Sequence, residues 1–520
     1  MAIRPHSEAL APAPDRPAAG PGPVPGAVEG PVPGAGRRWW ALVAAAGVLA
    51  GALALESAVI AQPGPLPGPP AVLYLALAWW AVAALGTWLL VRAGSRRATV
   101  WLLLTGAVAV HVLAIGAGPR MSDDLYRYSW DGRVQAAGID PYRHPTSSPE
   151  LAHLRDDWLW PDDAACAEIN RGPGCTRLNY PQAHTIYPPV AQAYFTAVHY
   201  LPGPPRENKV QLYGALVSLA LTALLVRVLA ARGHPVGYAA AYAWAPSAGL
   251  DAGMDAHVDV LAALFAVGAC ALLARRPPGP ARPGRPWLRR PPRIGVAAGA
   301  LLGAAVAVKL YPALLLVAAA RRRALTVGGT AVAVVALSYL PHVLAVGPDV
   351  VGFLPRYLSV EGYQDGHRFL LLGLLGLAGT SAKIAAGLVL AGVVVAVWRS
   401  DPARVSAELG ALWLLGAAFL LATPAQPWYG IPLVALAVLA RRPEWLAVAA
   451  APYVLYMALF TDLALADRIT RPGGYVVGAL VVLGVSIARV RVRGGRRGAS
   501  YRPARPGTGT AARTSTAASG

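Results

Sequence analysis

The chain has 520 residues, of which 56% are hydrophobic and 14% charged, against about 25% charged in an ordinary soluble domain. Apolar runs of bilayer-crossing length, about 17–25 residues, recur along it, which excludes a soluble enzyme and points to a polytopic membrane protein. The formal net charge of +20 does not indicate a nucleic-acid partner, because the Arg residues sit in short inter-span loops and the tail, where they report orientation.

Residues 1–36 form a Pro-, Ala- and Gly-rich tract without an apolar core, predicted to be a disordered cytoplasmic tail and not a signal peptide. Arg37 and Arg38 precede a first span near 39–61, opened by the interfacial pair Trp39 and Trp40. A PGPLPGPP turn leads to a second span near 71–91, and Arg92, Arg96 and Arg97 separate it from a third near 98–118. The cytoplasmic excess of positive charge puts the amino terminus and the Arg92–Arg97 loop inside. The third span therefore delivers Asp123 and Asp124 to the opposite face.

Residues 119–190 form a polar segment far longer than the usual ~4–6 residue connection. Its aromatic residues, among them Tyr126, Tyr128, Trp130, Trp158 and Tyr187, supply apolar surface to bury, so it is predicted to fold as an extracytoplasmic cap. Leu125, Tyr128, Val134 and Ala137 have the spacing of a helix lying in the interface. Cys166 and Cys175 lie in this cap. They form a disulfide around RGPG if the cap faces an oxidising compartment, or remain two free thiols, and both readings stand at this point. The stretch 186–201 opens with Pro188–Pro189 and is short, so it is read as re-entrant or interfacial.

Spans near 209–230 and 236–251 follow, and GLDAGMDAHVDVLAALF brings Asp251, Asp255, His257 and Asp259 to the outer face before a span near 256–274. The basic segment 275–293 is cytoplasmic. Residues 294–320 have basic residues at both ends and a break at Lys309–Pro312, which predicts two half-length helices returning to one side. A span near 324–346 leads to a second outer loop, 347–368; FLLLGLLGLAG rests in the outer interface and 382–398 returns inward. Spans near 406–423, 428–440, 445–461 and 475–490 complete the bundle, and 491–520 is a basic, disordered cytoplasmic tail. The expected fold is an all-α membrane bundle over 37–490 with about 12 full spans, partial helices and both termini inside.

This bookkeeping brings the polar residues together on one face. Paired carboxylates at a water–membrane boundary supply a general base, here Asp123 or Asp124. Lys309, Arg356 and Arg368, with Tyr187 beside them, suit the phosphate of a lipid-linked donor. Tyr126, Arg127, Trp130, Asp131, Arg133, Asp255, His257 and Asp259 are the candidate substrate contacts. Each has a plainer role open to it: helix capping for the acids, snorkelling for Lys309, interface anchoring for Gln426, Trp428 and Tyr429. The spacing of Asp251, Asp255, His257 and Asp259 matches no tight metal signature, so no metal is expected.

DDLYRYSWDGRVQAAGIDPYRHP followed by TIYPPVAQ resembles the first large loop of bacterial GT-C superfamily glycosyltransferases, most of all the polyprenol-phosphomannose-dependent mannosyltransferases. AWAPSAGLDAGMDAHVDVLAALF, KLYPALLL and PWYGIPL resemble later motifs of that family in the same order, over about residues 100–440. Ala245 stands where Asn is usual and Asp251 where Glu is commoner. The resemblance implies an inverting, one-step transfer of a sugar, mannose above all, from a polyprenyl phosphate to a hydroxyl of an envelope glycan or glycolipid. It maps the base onto Asp123 and Asp124, places the reaction on the extracytoplasmic side of the plasma membrane, and calls for no cofactor. The rival reading from another class is a transporter or flippase of lipid-linked sugars, which commonly carries an internal repeat; none is visible between the two halves of this chain. The sequence does not expose the acceptor, the linkage or the oligomeric state.

Overall fold

The structure, a computed structural model, describes residues 35–63, 71–274, 292–321, 323–460 and 466–499. Among them the secondary structure is entirely helical. Helices α1 (Ala35–Ile60), α2 (Ala71–Arg92) and α3 (Arg96–Ala114) occupy the first apolar runs. Ser95 caps α3 by accepting the Ala98 N–H, satisfying a donor that the first turn leaves unpaired.

The long polar segment is folded, as its aromatic content predicts. It carries α4 (Asp124–Ala136), a 3-10 turn at Pro149–Leu154 and α5 (Asp163–Glu168), around a core that includes Tyr126, Tyr128, Trp130 and Trp158. Cys166 and Cys175 are joined in a disulfide. Helix α6 (Pro189–Tyr200) has 12 residues, about 18 Å of rise against about 30 Å of hydrocarbon. It lies on α4: a Cβ on Gly132 would sit 2.4 Å from the Phe195 carbonyl oxygen, which only glycine avoids.

After α7 (Glu207–Ala231), the span expected over 236–251 is not one helix. It is a 3-10 turn at Val236–Ala239, the short α8 (Ala240–Ala243) and a π-helical Ser247–Met254. Pro246 has no N–H to continue a helical ladder. The Trp244 carbonyl accepts instead from Trp79 Nε1 at 2.7 Å, and the Trp244 indole donates to the Leu103 carbonyl at 3.2 Å. Residues 239–263 are buried without exception, the setting in which irregular backbone is tolerated at membrane depth.

Helices α9 (Asp259–Ala274), α10 (Pro292–Val308) and α11 (Ala313–Ala320) follow. The break at Lys309–Pro312 is present, and the chain turns back there. Gly295 near the start of α10 meets Thr326 beyond the end of α11, and Gly299 meets Val327. The expected pair of half-helices is thus a hairpin in space. Then come α12 (Gly329–Val346), α13 (Leu354–Val360) in the second polar loop, the single turn α14 (Leu370–Gly373), α15 (Gly379–Arg399), α16 (Ala407–Ala422), α17 (Gly430–Ala440), α18 (Leu446–Phe460) and α19 (Ala466–Ala499). Helix α19 runs past the boundary drawn at residue 490. The rest of the two tails and most of the basic segment 275–293 lie outside the described residues.

Seven helices among the described residues are long and apolar enough to cross a membrane, and shorter apolar helices such as Asp259–Ala274 and Ala407–Ala422 pack among them. The chain is a multi-pass membrane protein. Small residues let the helices approach, as where Gly416 faces the Trp445 ring. The folded polar segment and the second polar loop cover one end of this bundle, and the site lies under them.

Candidate active site

A cavity of about 770 Å³ opens between the long polar segment, the α10–α11 break, the second polar loop and the turn before α17. Asp123, Asp124, Arg127, Tyr187, Lys309 and Arg368 all line it, although they come from four separate stretches of chain.

The acid pair is set by four neighbours. Asp255, fully buried, accepts the backbone N–H of Arg120 at 2.7 Å and that of Met121 at 3.3 Å. This holds the turn from which α4 starts. Asp123 occupies the N-cap position of α4 but makes no capping hydrogen bond with its side chain, so the capping role does not describe it. Its Oδ2 accepts from Arg171 Nη2 at 2.6 Å, while Oδ1 is buried with no hydrogen-bond partner among the described residues. Asp124 Oδ1 accepts from Asn179 Nδ2 at 2.7 Å, and Oδ2 lies 3.6 Å from His257 Nδ1. Burial pushes the Asp123 carboxyl above its ordinary range; Arg171, and more weakly Arg177, pull it down, while Asp124 pushes it further up.

Lys309 enters from the α10–α11 break, where the helix ends and its side chain is released into the cavity. Its Nζ lies 3.5 Å from Asp259 Oδ2, and over the rings of Tyr187 and Tyr429 at 4.8 and 5.4 Å from their centroids. Asp259 also accepts from the Tyr311 hydroxyl at 2.8 Å. Arg368, on the second polar loop, donates to the Glu361 carbonyl at 2.7 Å and to its carboxylate at 2.8 Å. The cavity therefore carries acids on one wall and paired cations on others, with Tyr and Trp rings between them.

Several expected contacts are placed elsewhere. Trp130 packs on Trp160 inside the cap. Tyr126 packs edge-on against Trp158. Arg133 donates to the Leu154 carbonyl and pairs with Asp156 at 2.6 Å, closing the cap. Asp131 takes Arg127 Nε at 2.9 Å, the Thr185 hydroxyl at 2.6 Å and Gln192 Nε2 at 2.9 Å, so it ties α4 to the start of α6. These residues have the polarity of a binding site because a folded cap needs internal partners for its own buried groups. Arg356 is exposed on α13 and does not line the cavity; its neighbour Tyr357 does, bonded to the Tyr429 hydroxyl at 2.7 Å. Asp255, His257 and Asp259 stand behind the lining and hold, in turn, the α4 turn, Asp124 and Lys309. Asp251 is taken up by the Tyr453 hydroxyl at 2.7 Å.

Other lining residues escaped the sequence reading. Arg171 and Asn179 reach the acids from 48 and 55 positions away, a separation that carries no local signal. Trp428 and Tyr429, expected as interface anchors, line the cavity, and Trp428 stacks on His257 at 3.8 Å.

One comparison with known families bears on the class. Residues 185–424 match the model of Glycosyltransferase family 87. The matched stretch contains Tyr187, His257, Lys309 and Arg368 and begins downstream of the acid pair. It supports a membrane glycosyltransferase, in agreement with the resemblance read from the motifs. Neither the curated proteins nor the solved structures give a match.

Proposed function

We propose that this glycosyltransferase is of the GT-C type and moves a sugar, mannose, from a polyprenyl phosphate to a hydroxyl of an envelope glycan or glycolipid. The supporting observation is the shared cavity: Asp123, whose Oδ1 has no hydrogen-bond partner among the described residues, lines the same enclosure as Lys309 and Arg368.

The step is a single displacement. Asp123 removes the proton of the acceptor hydroxyl; that oxygen forms a bond to the anomeric carbon, and the bond from this carbon to the phosphate oxygen breaks with its electron pair. Polyprenyl phosphate leaves with inversion at the carbon. Charge builds on the departing phosphate, where Lys309 and Arg368 neutralise it. Tyr187, Trp428 and Tyr429 offer flat apolar faces to the sugar and the prenyl chain. The active site faces the extracytoplasmic side, with both termini inside, in a bundle whose shorter apolar helices bring the crossings to about 12.

The test is an assay of purified protein in lipid nanodiscs with radiolabelled polyprenyl-phosphate mannose and a short mannoside acceptor. Labelled, covalently extended acceptor is the expected result, abolished in Asp123→Asn. Movement of intact labelled lipid across a vesicle bilayer, with no covalent product, would establish a flippase instead.

A further inference from the structure

We propose that the Cys166–Cys175 disulfide positions Arg171 on the Asp123 carboxylate, so that the acid is correctly set only where this disulfide is oxidised. The functional meaning rests on Asp123 being the base; the geometry does not.

Arg171 hangs from both ends of the disulfide loop. Its backbone N–H donates to the Cys166 carbonyl at 2.9 Å. Its Nη1 donates to the carbonyl of Thr176, the residue that follows Cys175. The remaining arm, Nη2, reaches Asp123 Oδ2 at 2.6 Å. The sulfur–sulfur bond therefore fixes the spacing of the two backbone groups that orient the guanidinium.

Between the two cysteines themselves, the chain is held only lightly. Helix α5, which carries Cys166, has six residues, too few to hold its shape alone. Gly172, Pro173 and Gly174 at the turn are exposed. The turn itself is tied by the Gly174 N–H to Asp163 Oδ1, on exposed groups, and the chain after Cys175 is tied to the cap core by the Thr176 hydroxyl and the Arg177 N–H on the Leu159 carbonyl and by Arg177 Nε on the Trp158 carbonyl. Cys166 itself is fully buried, so the disulfide connects the cap's core to the turn. The segment after Cys175 also supplies Asn179, the partner of Asp124; one covalent link thus stands behind a contact to each acid.

The ionisable groups facing Asp123 are Arg171, Arg177, Asp124, Tyr126 and Tyr456. Arg171 is the one in direct contact with the carboxylate, and it alone lies inside the disulfide loop. It occupies Oδ2, while Oδ1 is buried with no hydrogen-bond partner among the described residues. Arg171 is in this sense a positioning residue, and losing the disulfide has the same consequence as losing its charge.

The experiment reads protonation, not transfer. Full-length protein in nanodiscs is treated across a pH series with dicyclohexylcarbodiimide, which modifies protonated carboxyls, and modification at Asp123 is quantified by tandem mass spectrometry. In Arg171→Gln the labelling midpoint is expected to rise by about one pH unit, a tenfold change in the acid's ionisation equilibrium. The same rise is expected in Cys166→Ala/Cys175→Ala and in wild-type protein reduced in place with a phosphine, and Arg171→Lys should keep the wild-type midpoint. Reoxidation of the reduced wild-type protein should restore it, which separates positioning from misfolding of a variant. An unchanged midpoint in Arg171→Gln overturns the proposal, and so does a wild-type midpoint in the reduced protein. A full set of midpoint shifts alongside undiminished transfer by Asp123→Asn would remove the base assignment and leave the positioning role standing.

Discussion

Asp123 and Asp124 are adjacent in sequence and different in setting. Asp123 keeps one oxygen without a donor among the described residues, whereas Asp124 is held by Asn179 and lies beside His257. Asp123→Asn should therefore lower kcat by about 10²–10⁴-fold, the range of a lost general base, with thermal unfolding unchanged; Asp124→Asn should cost less, because its role is to orient. The pH profile follows from the raised Asp123 ionisation. A base works deprotonated, so kcat/KM should fall as pH drops through a midpoint above the ordinary carboxylate value of about 3.9, and Arg171→Gln should move that acid limb to still higher pH. A limb at the ordinary value would count against Asp123. Lys309 permits a sharper separation of stability from function. Its partner Asp259 is fully buried, so Lys309→Met alone strands a carboxylate and should destabilise by about 3–5 kcal/mol. Lys309→Met/Asp259→Asn should recover most of the melting temperature and none of the transfer rate. Recovery of both would make Lys309 a structural residue.

The elements that present these side chains are irregular ones. Asp255 lies at the end of the π-helical segment and holds the Arg120–Met121 turn by two backbone N–H groups, so the angle at which α4 starts depends on a single buried carboxylate. Hydrogen bonds to charged groups contribute about 1.5–3 kcal/mol. Asp255→Leu should lower stability by at least that amount and impair transfer, while Asp255→Asn, which keeps an acceptor oxygen, should retain part of both; thermal unfolding and transfer assays on the same preparations check it. The break at Lys309–Pro312 was legible in the sequence, because a proline and a basic residue inside an apolar run leave few alternatives. The broken segment at Trp244–Pro246 was equally marked by its proline, yet the stretch 236–251 reads as a span, since apolar composition does not distinguish a helix from irregular backbone satisfied by side chains. What satisfies it, the indole N–H of Trp79, lies 165 positions away. The cap shows the same limit. Its folding could be read from its aromatic content, but Asp131 and Arg133 look like site residues until α6 and Asp156 are seen to use them.

At the scale of the whole molecule, the site exists because covalently distant segments meet at one end of the bundle, and the orientation of that end fixes what the protein can act on. Donor phosphate and acceptor would be met outside only if the cap faces outward, the orientation we propose from the charge bias across α3: Arg92, Arg96 and Arg97 at one end, the acids beyond the other. The disulfide in the cap agrees with this side, because such bonds persist in oxidising compartments. The cysteine content makes the orientation easy to measure. Of the 3 cysteines, two are paired and Cys270 is buried, so the native chain gives little background with a membrane-impermeant maleimide. Ala152 in the cap and Gly94 between α2 and α3 are both exposed. Ala152→Cys should be labelled on intact cells, and Gly94→Cys only after the membrane is permeabilised. The reverse pattern would put the acids in the cytoplasm, where nucleotide sugars and not extracytoplasmic lipid-linked ones would be the accessible donors, and the proposed reaction would have to be abandoned while the cavity itself remained.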